Sequence, residues 1–271
     1  MNDKIRTIEL AAWGLDSYEF RPSDFDHEKA ASSQKLITQQ PPYEANDALC
    51  ADESTLLRDL LDLERSRADL HAEMLGLEWS LGVVDLRRLL AFQRRLSFPP
   101  NFVLQSAAHP QDWPALVKIA FAPPHPLVYD LVQDTSSYSL HLYSTNPNLH
   151  VRVTGDPAAP VMVHAGSPFF EVARYRDRWF LRDGYHRAYT LLQAGICKVP
   201  SVIVYARSFA ELGADQPRFF PESVLFSPHP PRVTDFLDDA LIVEYSRPRT
   251  RTNIRLTIEE SLTEYPPGDP S

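Results

Sequence analysis

Asp183-Gly184-Tyr185-His186-Arg187 places a carboxylate, a flexible backbone joint, a phenol, an imidazole and a guanidinium in one short run. At the start of a helix such a run suits an anion. The first-turn N–H groups lack acceptors within the helix, the positive end of the helix dipole lies there, and His186 and Arg187 add cationic side chains. Gly184 would let the backbone approach a phosphate closely, and Asp183 would orient the turn or a cation. An Asp-Gly tight turn followed by a solvated helix cap accounts for the same residues, and both readings stay open. Phosphoryl transfer here would need a carboxylate to take the proton of an attacking hydroxyl. Asp183, Glu171 and Asp85 are the candidates. Asp85 reads first as a helix N-cap, and Glu171 as a partner for Arg174, Arg176 or Arg178.

The flanking pattern sets the run between a strand and a helix. Residues 178–182 are short, aromatic-rich and bounded by turn residues, as a strand would be. Ala188, Leu191, Leu192 and Ala194 then fall on one helical stripe, and Gly195 stops it. Residues 199–205 read as a second strand, and 169–173 as a strand entering the hairpin through Arg176-Asp177.

Residues 178–205, RWFLRDGYHRAYTLLQAGICKVPSVIVY, resemble the second half of the ParB/sulfiredoxin-like fold. That family sets a D-G-x-H-R or related turn after a strand, then an Ala-rich helix ending in Gly, then a strand introduced by Val-Pro. Residues 80–96, SLGVVDLRRLLAFQRRL, are similar to its opening strand, Asp-Leu turn and short helix. The resemblance implies a core over 77–207 with an insertion at about 97–165. It also implies that Gly184, His186 and Arg187, with Tyr185 between them, face nucleotide phosphates, with ATP, ADP or CTP and Mg2+ as cofactors. Sulfiredoxin chemistry needs a cysteine where Tyr185 stands, and a phenol cannot replace that sulfur nucleophile. Partition proteins carry Gly-Glu-Arg-Arg at this turn, so the nearest variant is that of free-serine kinases and uncharacterised relatives.

The rest of the chain indicates an α+β protein. Residues 1–50 show no sustained hydrophobic period and read as an irregular or partly disordered arm. Leu56, Leu57, Leu60, Leu61 and Leu63 define an amphipathic helix within 51–76, opened by Asp52 or Ser54. A strand over 77–84, a short helix over 87–96 and a helical turn over 113–120 follow. Strands are expected at 138–143, 150–153 and 161–164. Region 208–271 reads as a Pro-rich extension with a hairpin of 240–245 against 253–258, ending in a disordered tail. Arg247, Arg249, Arg251 and Arg255 form either its charged tip or a second anion site.

Composition narrows the function classes. Acidic residues outnumber basic ones 36 to 27, a net charge of −9, which works against a phosphate backbone and disfavours DNA. Cys50 and Cys197 suit free thiols in a cytoplasmic setting, no apolar run spans a bilayer, and the first residues resemble no signal peptide. Walker, dinucleotide, nucleophile-elbow and zincin motifs are absent, and no Cys/His spacing suits zinc; His141, His150 and His164 could meet only across strands. The leading expectation is binding of a nucleotide or other phosphorylated small molecule at Asp183–Arg187, with phosphoryl transfer or nucleotide hydrolysis if the chain is an enzyme. The alternatives are a non-catalytic protein-interaction module on the same fold, with a protein partner or a homodimer, and a partition-type DNA-binding protein.

Overall fold

The computed structural model describes residues 4–51, 54–100, 109–124, 126–146, 149–153, 161–257 and 259–261. The chain divides into two units, Met1–Pro124 with Ser167–Arg249, and His125–Gly166 with Thr250–Ser271.

The first unit is built on a six-stranded sheet. Its order is Leu49–Cys50, Trp79–Asp85, Lys198–Ala206, Glu171–Tyr175, Arg178–Asp183, Leu90–Ala91. Val199, Val202, Ile203 and Val204 are fully buried, because the central Lys198–Ala206 strand is covered on both faces. It runs parallel to Glu171–Tyr175 and antiparallel to Trp79–Asp85. The helix Tyr185–Gln193 leaves the end of Arg178–Asp183, and the Trp113–Ala120 helix, capped by Asp112, buries Leu116 and Ala120. Phe92, Phe169, Phe170, Phe180, Phe220 and Phe236 form the large-volume part of the core.

The hairpin that carries the site is short and has a defect. From the Arg176-Asp177 turn its register runs Tyr175↔Arg178, Arg174↔Trp179, Ala173↔Phe180 and Val172↔Leu181, then shifts so that Glu171 pairs with Asp183. Without the bulge Glu171 would face Arg182. The extra residue instead sets two carboxylates opposite one another, where cross-strand neighbours lie closest.

Several expectations are corrected. The 1–50 segment is no irregular arm: Lys4–Leu10 is the middle strand of a second sheet, between Ile242–Pro248 and Arg95–Phe98, with Ile8 and Leu10 fully buried. The helix His27–Ile37 follows, capped by Asp26. Period alone missed the strand because it is buried through partners far away in sequence. The 51–76 helix is two helices, Thr55–Arg65, capped by Ser54, and Ala68–Glu73; Asp52 lies outside the described residues. The expected 87–96 helix is a single 3-10 turn, Leu86–Arg88, followed by the strands Leu90–Ala91 and Arg95–Phe98. Pairing with Lys4–Leu10 outweighs helical propensity there.

The C-terminal strands form no hairpin with one another. Ile242–Pro248 pairs with Lys4–Leu10, and Thr252–Thr257 pairs with Ser139–Ser144 in the second unit. That unit holds a sheet ordered Thr252–Thr257, Ser139–Ser144, Asp130–Asp134, and a hairpin of Leu149–Val153 with Val161–Ala165. The turn expected over 155–160, residue 258 of the last strand, and the tail from 262 onward lie outside the described residues. Among the described residues no helix is long and apolar enough to cross a membrane.

Candidate functional site

Asp183-Gly184-Tyr185-His186-Arg187 does join a strand to a helix, and each residue can be followed to its contacts. Gly184 is the N-cap, with φ +97°, in the left-handed region that side chains avoid. A Cβ there would lie 2.7 Å from the Phe170 ring, so core packing as well as backbone conformation demands glycine. The close approach expected from a phosphate is made by Phe170.

Tyr185 is buried. Its hydroxyl donates to the Leu181 carbonyl (2.8 Å) and accepts from the N–H groups of Phe92 (2.9 Å) and Gln93 (3.3 Å). Burial raises its pKa, so the proton stays on to serve these bonds. The His186 Nε2 donates to the Ser97 carbonyl at 2.9 Å, the ring stands edge-on to Phe98, and burial lowers its pKa, which disfavours imidazolium. The Arg187 fork spans three carbonyls: Nη1 donates to Pro168 (2.7 Å) and Ile119 (3.2 Å), and Nη2 to Phe169 (2.7 Å). These side chains brace the loop before Glu171 and the end of the Trp113–Ala120 helix. As direct phosphate ligands they are already occupied.

What remains of the motif is Asp183, and here chemistry gathers. Its side chain keeps 42 % of its accessible surface. Oδ1 accepts from the Gly184 N–H and Oδ2 from the Ser167 N–H at 3.4 Å, and Arg187 stands 3.9 Å from Oδ1. Opposite it, Glu171 is 2 % exposed. Glu171 Oε2 accepts from Arg182 Nη1 at 2.6 Å, whereas Oε1 is buried with no hydrogen-bond donor. The pairing with Arg174, Arg176 or Arg178 expected for Glu171 is made by Arg182, the bulge residue.

A third carboxyl completes the group. Glu73, the last residue of Ala68–Glu73, meets Glu171 and the Ser167 hydroxyl. Desolvation, then the charge of Glu171, push its pKa up to about 7, with Asp183 adding to the rise and Ser167 opposing it. Asp183 is pushed up to about 6, by desolvation first and Glu171 second, against the pull of Arg187. Negative charge exceeds what Arg182 and Arg187 compensate, and the cluster makes up the difference by holding protons near neutral pH. Glu73 was invisible to motif reading: it sits more than a hundred residues from the motif, on a helix whose pattern signals only amphipathicity.

The other candidates resolve into structure. Asp85 caps the Leu86–Arg88 turn and forms a two-point ion pair with Arg87 (2.9 and 2.6 Å), which holds its pKa down. His150 and His164 are cross-strand partners while His141 lies in another sheet, and no three His, Cys, Asp or Glu residues converge as metal ligands among the described residues. Arg247 is buried in the first unit and donates to Pro248 and Ser97, whereas Arg251 pairs with Asp130 in the second, so the arginine run is no hairpin tip.

Comparison of the chain with protein-family models, with curated proteins and with solved structures returned no match to any of them.

Proposed function

We propose that the chain is a small-molecule group-transfer enzyme, a phosphotransferase or hydrolase, whose proton chemistry is run by Asp183, Glu171 and Glu73. One observation carries the reading: across the bulge the part-accessible Asp183 pairs with the buried Glu171, whose Oε1 has no hydrogen-bond donor, and Glu73 stands beside them. Carboxyls crowded in this way shift upward, Asp183 to about 6 and Glu73 to about 7, into the range where proton transfer is run. Asp183 is mainly ionised at neutral pH and accepts the proton of an attacking hydroxyl or water. Glu73, near half-protonated, is the proton donor to the leaving group. Glu171, anchored by Arg182, couples the two, so that ionising one raises the cost of ionising the other.

The resemblance to nucleotide-handling proteins suggests ATP, ADP or CTP as donor, with the phosphate toward the first-turn N–H groups after Gly184. Mg2+ finds no three-ligand site among the described residues, and no step here runs through it. The test is chromatographic: nucleotides and simple phosphate esters are incubated with the chain and hydroxyl acceptors across pH 5–9. Turnover with a bell-shaped profile bounded near 6 and 7 supports the proposal. Intact substrates at every pH would remove its basis.

A second reading is favoured by the engagement of His186 and Arg187 with main-chain carbonyls. On it the motif is purely architectural, and the chain is a non-catalytic interaction module. That reading expects no turnover and no change in any ligand's affinity when Asp183 is replaced.

A further inference from the structure

A second polar concavity lies elsewhere in the first unit and shares no residue with the carboxyl cluster. Three segments converge on it. Residues 41–47 precede the edge strand Leu49–Cys50, with the Tyr43 N–H donating to the Pro228 carbonyl at 2.6 Å. The Leu86–Arg88 turn crosses toward Leu90–Ala91. The chain around Arg232 bridges to Leu90, and the Ala91 N–H donates to the Pro231 carbonyl at 2.8 Å. Between them is a cleft of about 310 Å3, whose lining includes the charged Arg87, Arg88 and Arg232 and the apolar Pro41, Pro42 and Leu90. Glu44 is the one carboxylate in its wall.

The Arg87 and Arg88 guanidiniums are held in place, both beside Asp85, and still keep free donors. Arg87 is braced by Asp85, which uses Nε and one Nη2 proton. Arg88 donates through Nη1 to the Asp47 carbonyl, stands 4.0 Å from Asp85 through Nε, and keeps 49 % of its side-chain surface accessible. Each fork has five N–H donors, so most remain for a ligand. Tyr43, also in the wall, has a buried hydroxyl with no partner among the described residues. In a chain of net charge −9, three arginines that outnumber the neighbouring Glu44 and Asp85 leave this concavity locally positive, a trap for anions.

We propose that this cleft binds a phosphate monoester of a small ring compound, the dianion among Arg87, Arg88 and Arg232 and the ring against Pro41, Pro42 and Leu90. Forks on separate segments suit a tetrahedral phosphate, whereas a planar carboxylate is served by one. Pre-set arginines lose little side-chain freedom on binding. The volume lies at the lower end of small-molecule sites and leaves room for one ring and one phosphate. The assignment stands whether or not the carboxyl cluster turns over a substrate.

The experiment titrates the full chain with phenyl phosphate, inorganic phosphate and benzoate, by calorimetry and by arginine Nε–H resonances. Phenyl phosphate is expected to bind about tenfold more tightly than inorganic phosphate, and both to weaken with added salt. Arg88→Gln with Arg232→Gln should weaken phenyl phosphate at least about tenfold in a variant that still melts cooperatively. In the unaltered chain the shifted resonances should be those of Arg87, Arg88 and Arg232, a readout that needs no variant to fold. Absence of binding at millimolar ligand, shifts confined to other arginines, undiminished binding in a folded double variant, or benzoate binding as tightly as phenyl phosphate would each overturn the proposal.

Discussion

Glu9 and Glu171 are both almost wholly buried, at 1 % and 2 % exposure, yet they are treated in opposite ways. Glu9 is saturated. Its Oε1 accepts from Arg21 (2.7 Å) and Arg95 (2.8 Å), and its Oε2 from the Tyr245 hydroxyl (2.8 Å), with Asp16 also pairing to both arginines. Both carboxylates are fully engaged there by arginines, with Arg94 a third at 4.0 Å from Asp16, and the network ties Lys4–Leu10, Arg95–Phe98 and Ile242–Pro248 into one sheet. Glu171 has one arginine, one empty oxygen and two further carboxyls beside it. Burial with complete pairing builds structure. Burial with surplus like charge holds protons near neutral pH.

The largest effect that would sharpen this contrast is on turnover. Asp183→Asn should lower kcat about 10²- to 10⁴-fold, the range of a general base, while leaving the thermal midpoint unchanged or higher because a destabilised carboxyl is removed. A variant that melts early and loses activity only in proportion would place Asp183 in the same class as Glu9. Next comes Glu9→Gln, expected to cost about 3–5 kcal/mol in urea unfolding, since it leaves the buried Arg95 and Arg21 charges uncompensated. A loss below about 1 kcal/mol would show that Asp16 alone balances them.

Glu73→Gln gives a smaller effect whose sign depends on pH. The folded-state pKa near 7 is above the ordinary 4.5, so the folded chain holds the extra proton between these values. The stability linked to Glu73 is therefore complete below about pH 4.5 and lost as pH rises through 7. After allowance for partial exposure this is about 2 kcal/mol. The variant should be the more stable form at pH 8 and show a shallower decline from pH 5 to 8. Asp183 and Asp235, raised to about 6 and 7, contribute to the same slope, so it should diminish rather than vanish. An unchanged slope would mean that Glu73 is not part of the cluster. The smallest effect, about 1–2 kcal/mol, is expected for Tyr185→Phe, which leaves the Phe92 and Gln93 N–H groups and the Leu181 carbonyl short of a partner. Loss of ligand affinity at unchanged stability would return Tyr185 to the binding site.

The strand–turn–helix around Asp183 was legible because its signals are local: an aromatic strand, a glycine joint, an apolar stripe and a terminal Gly195. The Trp113–Ala120 helix and the Ser139–Ser144 strand were legible for the same reason. The N-terminal strand was not, because the partners that bury Ile8 and Leu10 come from near residues 95 and 245. The C-terminal hairpin was a false inference from proximity: two adjacent strands with a basic linker pair with different partners in different units. Asp183 and Glu171 were both identifiable as carboxylates of interest, but their juxtaposition depends on one bulge in a register that no spacing rule specifies.

Local residue types by themselves determined that Asp183-Gly184 makes a joint, that a helix follows it, and that the chain is mixed α and β. Tertiary structure alone decided what each member of the motif does. It turned Gly184 toward Phe170, closed the Arg187 fork on three carbonyls, and carried Glu73 from a distant helix to Glu171. The physical reason is range. Backbone preference and helical periodicity act over a few neighbours, whereas desolvation and the repulsion of like charges depend on which distant segments fold onto the same few ångströms.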